Sequence, residues 1–266
     1  MRKAYVFLKR GWITFTSYKM EMIIQYASLL LMVAIFYFVA KMISGVKVPS
    51  LTKYGGDYTS FIVVGVVFQW FVTVSLNSFS SSIRSEQTMG TLEFLLMSRT
   101  NLSAILFYSA LWNFTRVLLN TLVVFLLCMV IFKIHFTLNL LLALLLLLLT
   151  VAALSGIGMI SAGMILAFKQ GDPINWLFVT LTGLLSGVFF PVEVLPPVLK
   201  SIAFVLPTTY ALTALRETLI LNASLSSVSL HVAVLALFSL LTVPTGFFLF
   251  RWGFNKARVA GSLAEY

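Results

Sequence analysis

Charge is scarce in this chain, so each charged side chain is a candidate for work. Only 8 Asp and Glu and 18 Lys and Arg occur among 266 residues. Three of them, Arg84, Glu86 and Glu93, crowd into residues 84–97, RSEQTMGTLEFLLM, between two long apolar runs. Bond-breaking chemistry is poorly supplied. His135 and His231 each lack an acidic neighbour in sequence, no H-E-x-x-H occurs, and no G-x-x-x-x-G-K-[ST] run is present to cradle nucleotide phosphates. No nucleotide, cofactor or metal is expected on this chain. Cys128 is alone in an apolar run, which excludes an internal disulfide. What remains for the charges is recognition, orientation and bracing. Arg216 and Glu217 form a charged pair in an apolar stretch, with Glu193 as a candidate partner for Arg216. They read as a brace, or as a gate. Arg116 has Asn113 and Asn120 at helical spacing. Depending on where its helix starts, it snorkels to an interface or lies deep, where an arginine costs at least about 2.5–3.5 kcal/mol.

The elements that must position these groups are membrane helices. The chain is 60% hydrophobic and 10% charged, with a mean hydropathy of +1.03. A soluble domain carries charge on about 25% of its residues. The expected class is an all-α integral membrane protein, multi-pass, in a single domain over 1–266. A crossing takes about 20 apolar residues. Six stretches qualify: 22–40, 58–79, one ending at Phe132 and beginning between Ser103 and Trp112, 137–168, 174–190, and 228–250 with Pro244 as an expected kink. With both termini in the cytoplasm, Arg2, Lys3, Lys9, Arg10, Lys19, Arg84, Arg99, Lys169, Arg251, Lys256 and Arg258 fall inside. Lys41, Lys47, Lys53, Lys133, Lys200 and Arg216 fall outside. That imbalance favours the N-in, C-in orientation. The net charge of +10 is spread over segments flanking the spans, so nucleic acid is not an expected partner. No signal-peptide cleavage site closes the basic start, which is expected to be retained.

Residues 1–21 put Tyr5, Leu8, Trp12 and Phe15 on one helical face and Lys9, Arg10 and Lys19 off it. This is the pattern of a basic helix lying in the membrane plane. Residues 191–227 hold Pro191, Pro196, Pro197 and Pro207 yet remain apolar. They predict a hairpin of two short helices dipping into the outer leaflet, the first started by Pro196 and Pro197, the second capped by Thr208 or Thr209. Such a hairpin survives only where protein or water satisfies its broken backbone. In the spans, Gly183 and Gly187 form a G-x-x-x-G pair, and Ala152, Gly156, Gly163 and Ala167 offer close approach to a neighbour. Gln69, Trp70, Ser75 and Asn77 in the second span, with Thr180, Thr182 and Ser186 in the fifth, are polar enough to line a path. Hydrogen bonding between helices is the alternative reading.

Residues 84–97 carry an apolar stripe of Met89, Leu92, Leu95 and Leu96, interrupted by Gly90. Such a helix either rests on the inner leaflet or docks into a groove of a soluble partner, its charges fixing orientation. The run EQTMGTLEFLLMS resembles the cytoplasmic signature of the ABC-2 family of transporter permeases. The run GLLSGVFFPVEVLPPVLKSIAFVLPTTYALTALRETLI, residues 183–220, resembles that family's end of the fifth span and its extracellular re-entrant hairpin. The order of elements is similar along essentially the whole chain. One departure is Arg99-Thr100-Asn101, where members often place a proline. The resemblance implies that 84–97 is a coupling helix held by a cytoplasmic ATPase through Glu86, Gly90, Thr91 and Glu93, with Arg84 added on charge alone. It implies a second, smaller contact at Lys169, Gly171 and Asp172. It also implies a translocation route between spans two and five of two facing chains, identical or related.

The function expected is the membrane subunit of an ATP-driven exporter of a hydrophobic or amphipathic cargo such as a drug, lipid or lipid-linked glycan. ATP and Mg²⁺ would sit on the partner ATPase. The expected location is a prokaryotic cytoplasmic membrane. A secondary transporter or channel is the alternative, but it calls for a charged or broken-helix site near mid-bilayer. A non-transporting assembly subunit of the same fold is a third.

Overall fold

The computed structural model describes residues 2–43, 51, 55, 57–88, 102–134, 136–137, 139–168 and 172–259. Among these residues the chain is all-helical. In order the helices are α1 (Arg2–Ser17), α2 (Lys19–Ile43), α3 (Tyr58–Thr88), α4 (Leu102–Phe132), α5 (Leu140–Phe168), α6 (Pro173–Leu185), α7 (Pro197–Ala203), α8 (Pro207–Leu221) and α9 (Ser229–Val259). Five of them, α2, α3, α4, α5 and α9, are long and apolar enough to cross a membrane, and α7 with α8 form a sixth candidate bent by 83°.

The centre of the molecule is α3. Its run Phe61–Phe68 is buried on every face, as expected of a helix that is apolar all round. Of its most apolar stretch 72% is buried, against 11% for α2 and for α9. The peripheral helices α2 and α9 therefore keep apolar faces for lipid or for another chain. The core joins α3 to residues of α2, α4, α5 and α8, with Phe68, Phe71, Leu76, Leu146, Leu147, Leu212 and Leu215 fully enclosed. Asp57 starts α3. Its carboxylate accepts from Thr59 N, Ser60 N and Ser60 Oγ at 3.0, 3.0 and 2.5 Å. Burial pushes its pKa up, but these hydrogen bonds outweigh it and hold the carboxyl below its ordinary 3.8. A depressed carboxylate stabilises the fold above its unfolded pKa, and that contribution is lost as the pH falls through the folded value. Asp57→Ala is therefore expected to cost about 1 kcal/mol near neutrality. In melting curves of the detergent-solubilised protein, the gap from wild type should narrow below about pH 4.

Several boundaries differ from the sequence reading, each for a physical reason. The fifth span ends as a helix at Leu185 rather than 190. Gly187 has φ +82, a left-handed turn that no helix continues through. At 13 residues, α6 is about 20 Å long, short of the roughly 30 Å hydrocarbon core. The Gly183/Gly187 pair is thus not a helix-packing motif. In the second hairpin helix, Thr208 and Thr209 are not caps. Pro207 takes the first turn and Leu206 the cap position, with no side-chain cap bond. Pro244 lies inside α9, which runs through it. Residues Arg84–Thr88 continue α3 instead of beginning a separate helix, and 89–97 lie outside the described residues.

The small residues of the fourth span meet the sixth. A Cβ on Gly156 would overlap the Thr242 carbonyl, and one on Gly163 would overlap the backbone of Leu249 and Phe250. Gly246 and Gly253 are equally filled, by Gly156 and Gly163. Both glycine pairs step by seven residues in the same direction, so α5 and α9 pack in parallel at backbone contact. Thr242 Oγ1 donates to Ala153 O at 2.8 Å across the same seam. At the start of the chain, α1 packs on α4. Trp12 and Phe15 meet Trp112 edge-on at 6.3 and 6.1 Å, Gly11 lies against the Trp112 ring, and Arg116, half-buried, sits 5.8 Å from the Phe15 ring centre. Tyr5 and Trp12 stay largely exposed, while Leu8 and Phe15 are half-buried.

Candidate functional site

Many of the buried polar side chains gather along the seam between α3 and α6, in two ties and a middle stretch, while Asn120, Thr121 and Thr150 lie on α4 and α5. The outer tie follows from the break in the fifth span. Residues 186–190 leave the helix and so free carbonyls that lipid cannot satisfy. Arg216, buried to 2% exposure on α8, supplies the donors. Its Nη1 donates to Gly187 O at 2.7 Å, and its Nη2 to Val188 O at 3.1 Å and Phe61 O at 3.0 Å. The Tyr58 hydroxyl donates to Phe189 O at 3.0 Å. Three consecutive carbonyls of the unwound segment are thus bonded. The guanidinium lies 3.4 Å from the Phe61 ring centre, a cation–π contact in a desolvated place. Gly65 makes room: a Cβ there would overlap Val188 O and the guanidinium. Glu193 lies exposed on a short 3-10 turn, Val192–Val194, and Glu217 is half-buried. Backbone carbonyls take the Arg216 guanidinium nitrogens, because five fixed donors suit a broken helix end.

In the middle, Thr182 and Ser186 are buried and share hydrogen bonds with Thr208 of α8 at 3.2 and 2.7 Å. Thr209 donates to Ala203 O at 2.5 Å and closes the bend between α7 and α8. Gln69 Nε2 crosses the seam to Val179 O at 3.0 Å.

The inner tie is centred on Asn175, 1% exposed. Its amide nitrogen lies 3.1 Å from Leu76 O, 3.3 Å from Asn77 Oδ1, 3.2 Å from Ser80 Oγ and 2.7 Å from Asp172 Oδ2. Asp172 is the N-cap of α6, accepting from Asn175 N at 3.2 Å and from the Ser161 hydroxyl of α5. The root of α6 is therefore bound to α3 and α5 at once.

The residues expected to line a path divide. Thr182, Ser186 and Ser75 are buried, and Ser75 Oγ has no hydrogen-bond partner among the described residues. Gln69, Trp70 and Asn77 are half-buried, and with Thr73 and Val74 they form the one narrow stripe of α3's buried stretch left partly open. Thr180 is exposed, on the same face of α6 as Trp176, Leu177 and Leu184. Of the residues expected to meet an ATPase, Arg84 is exposed on α3. The side chain of Glu86, and Gly90, Thr91, Glu93, Lys169 and Gly171 entirely, lie outside the described residues. Asp172 turns its carboxylate into the protein. Sequence reasoning missed Tyr58, Phe61, Gly65, Thr73, Ser80, Ser161, Asn175 and Thr208. Only Asn175 left a local trace, three residues after an acidic cap ahead of a proline-led helix.

Comparison of the sequence with curated proteins finds no match. Against protein families, residues 2–220 match the ABC-2 type transporter family. The matched region holds both ties, the open stripe of α3 and nearly all of α8. Multiple apolar helices make the chain a multi-pass integral membrane protein, and a match across most of its length means that it belongs to the ABC-2 type transporter family, as a membrane-spanning permease of an ABC transporter.

Proposed function

We propose that this permease is the membrane half of an ATP-driven exporter. Two such chains, identical or related, form the pore, and each meets a separate ATPase subunit. N and C termini lie in the cytoplasm of a prokaryotic cell. The coupling contact is residues 84–97, through Arg84, Glu86, Gly90, Thr91 and Glu93. A second contact is the turn at Lys169 and Gly171. Asp172 serves there as the anchor of α6 rather than as a docking charge. ATP and Mg²⁺ sit on the ATPase.

The observation that supports this reading is the connection of both loops to one rigid body. Helix α3 runs unbroken from Tyr58 to Thr88, about 46 Å, and leads directly into the first loop. The inner tie binds its middle to the root of α6, which follows the second loop. A push on either loop moves α3 and α6 together, and the Arg216 tie passes that motion to α8. Coupling of this kind requires that the ATPase hold the two loops differently in its two states. The open stripe Gln69, Trp70, Thr73, Val74 and Asn77, with Thr180, faces the facing chain and lines the route. The re-entrant pair α7–α8 stands at its outer end. A stripe of hydrogen-bonding side chains set in apolar spans suits a hydrophobic or amphipathic cargo, such as a drug, a lipid or a lipid-linked glycan.

The test is Glu93→Ala in the complex with the ATPase. Membrane insertion and permease yield should stay unchanged. Transport-coupled ATP hydrolysis should fall about tenfold or more, the loss of one desolvated charge contact at an interface. Normal assembly and transport by this variant would remove Glu93 from the contact.

A further inference from the structure

We propose that the C-terminal end of α9 carries a binding site for the phosphate of an anionic phospholipid headgroup. A cavity of about 490 Å³ opens there, lined by Trp252, Asn255, Lys256 and Val259. The Lys256 ammonium lies 4.3 Å from the ring centre of Phe168, at the end of α5, and 5.3 Å from that of Trp252. Two rings on two helices hold a long side chain in one place, so the entropy of ordering it is already spent before a ligand arrives. Ring faces attract a cation without cancelling its charge. Helix α9 contains no Asp or Glu, and Arg251, Lys256 and Arg258 all lie exposed near its end. The helix terminus contributes about half a negative charge, which these cations outweigh. An anion suits this end of the helix.

The surroundings select a lipid over a free anion. Trp252 and Val259 are exposed apolar surface beside the ammonium, able to take glycerol and acyl carbons, and the Asn255 amide offers a second donor to phosphate oxygen. The site stands at the end of a membrane span, where headgroups and tryptophans lie. A zwitterionic headgroup brings its own cation against Lys256, whereas an anionic one gains about 1 kcal/mol for each basic residue near it. Helix α9 packs chiefly on α5 and α8, away from the α3–α6 seam, so the bound lipid is an anchor for the α5–α9 pair and not the cargo.

Thermal melting of the purified full-length permease in a neutral detergent tests this. Added phosphatidylglycerol should raise the melting temperature. Equal phosphatidylcholine and inorganic phosphate should not. The phosphatidylglycerol concentration for half the rise should increase about fivefold in Lys256→Gln, as loss of one headgroup cation implies. Asn255→Leu should show a smaller increase, and Lys200→Gln, near the chain's other membrane face, none. Because each variant is read by its own lipid-dependent rise, a lower starting stability does not obscure the result. An unchanged response in both Lys256→Gln and Asn255→Leu overturns the proposal. So does an equal response to phosphatidylcholine, or one reproduced by inorganic phosphate. A response seen only after removal of 260–266 assigns the cavity to the chain's own end and also overturns it.

Discussion

Arg216→Met is expected to lower the melting temperature of the detergent-solubilised permease by about 5–15 °C, the effect of roughly 2–5 kcal/mol at this chain length. The residue is 2% exposed, and its guanidinium bonds the Gly187 and Val188 carbonyls together with that of Phe61. Methionine fills similar space but donates nothing. The first two carbonyls belong to the unwound segment, and each acceptor left bare in an apolar interior costs about 1–3 kcal/mol. Removal of the buried charge offsets part of that loss. Arg216→Lys keeps a cation near the Phe61 ring but cannot reach three acceptors in a fixed fork, so it should recover only part of the stability. Tyr58→Phe removes one donor, from Phe189 O, and should cost about 1 kcal/mol. A methionine variant that melts within about 2 °C of wild type would mean that the outer break is held by something other than this guanidinium. The same tie joins α3, the end of α6 and α8, so the variant should also weaken any response of α7 and α8 to events at the segments that follow α3 and precede α6.

The second large effect runs against helix propensity. In an isolated helix, Gly→Ala gains about 0.8–1.0 kcal/mol. At Gly156 the added Cβ would overlap the backbone carbonyl of Thr242. Backbone cannot swing aside as a side-chain tip can, so α5 and α9 must part. Gly156→Ala is therefore expected to destabilise, and Gly156→Leu to do so by about 3 kcal/mol or more, the upper range for overpacking. Separation also stretches the bond from Thr242 Oγ1 to Ala153 O. Gly183→Ala is the matched control. The nearest atoms to its Cβ would be those of the Gln69 amide, from 3.2 Å, and that side chain can yield. Melting curves of the three variants read the order directly: Gly183→Ala near wild type, Gly156→Ala below it, Gly156→Leu lowest. A stabilised Gly156→Ala would show that the two helices are not in backbone contact.

These two results bear on transport through the same geometry. In the proposed mechanism α5 and α9, packed at backbone contact, are a support, and α3, set among α2, α4, α5 and α8, is the moving part. The ties at Asn175 and Arg216 sit at opposite ends of the short α6, so α6 cannot shift without α3. A permease that must change shape with each ATP cycle gains from such a block, because a packed pair shifts as a unit rather than deforming.

Much of this was legible in the chain itself. Apolar run length determined the membrane class and four of the crossings closely, because insertion depends on hydropathy summed over neighbours in sequence. The helix at the start of the chain and the proline-led starts of α7 and α8 were legible too, since their signals are local backbone rules. The order of the motifs named the family. The tertiary structure decided what each polar group does. Arg216 and Phe61 are 155 residues apart, and Asn175 and Leu76 are 99 apart. The acceptors are backbone carbonyls, which every residue carries, so no side-chain pattern marks them. Asp172 turned inward for the same reason: a hydroxyl on α5 and an amide one turn ahead were within reach, and a buried polar group in a bilayer takes the partner that folding brings to it.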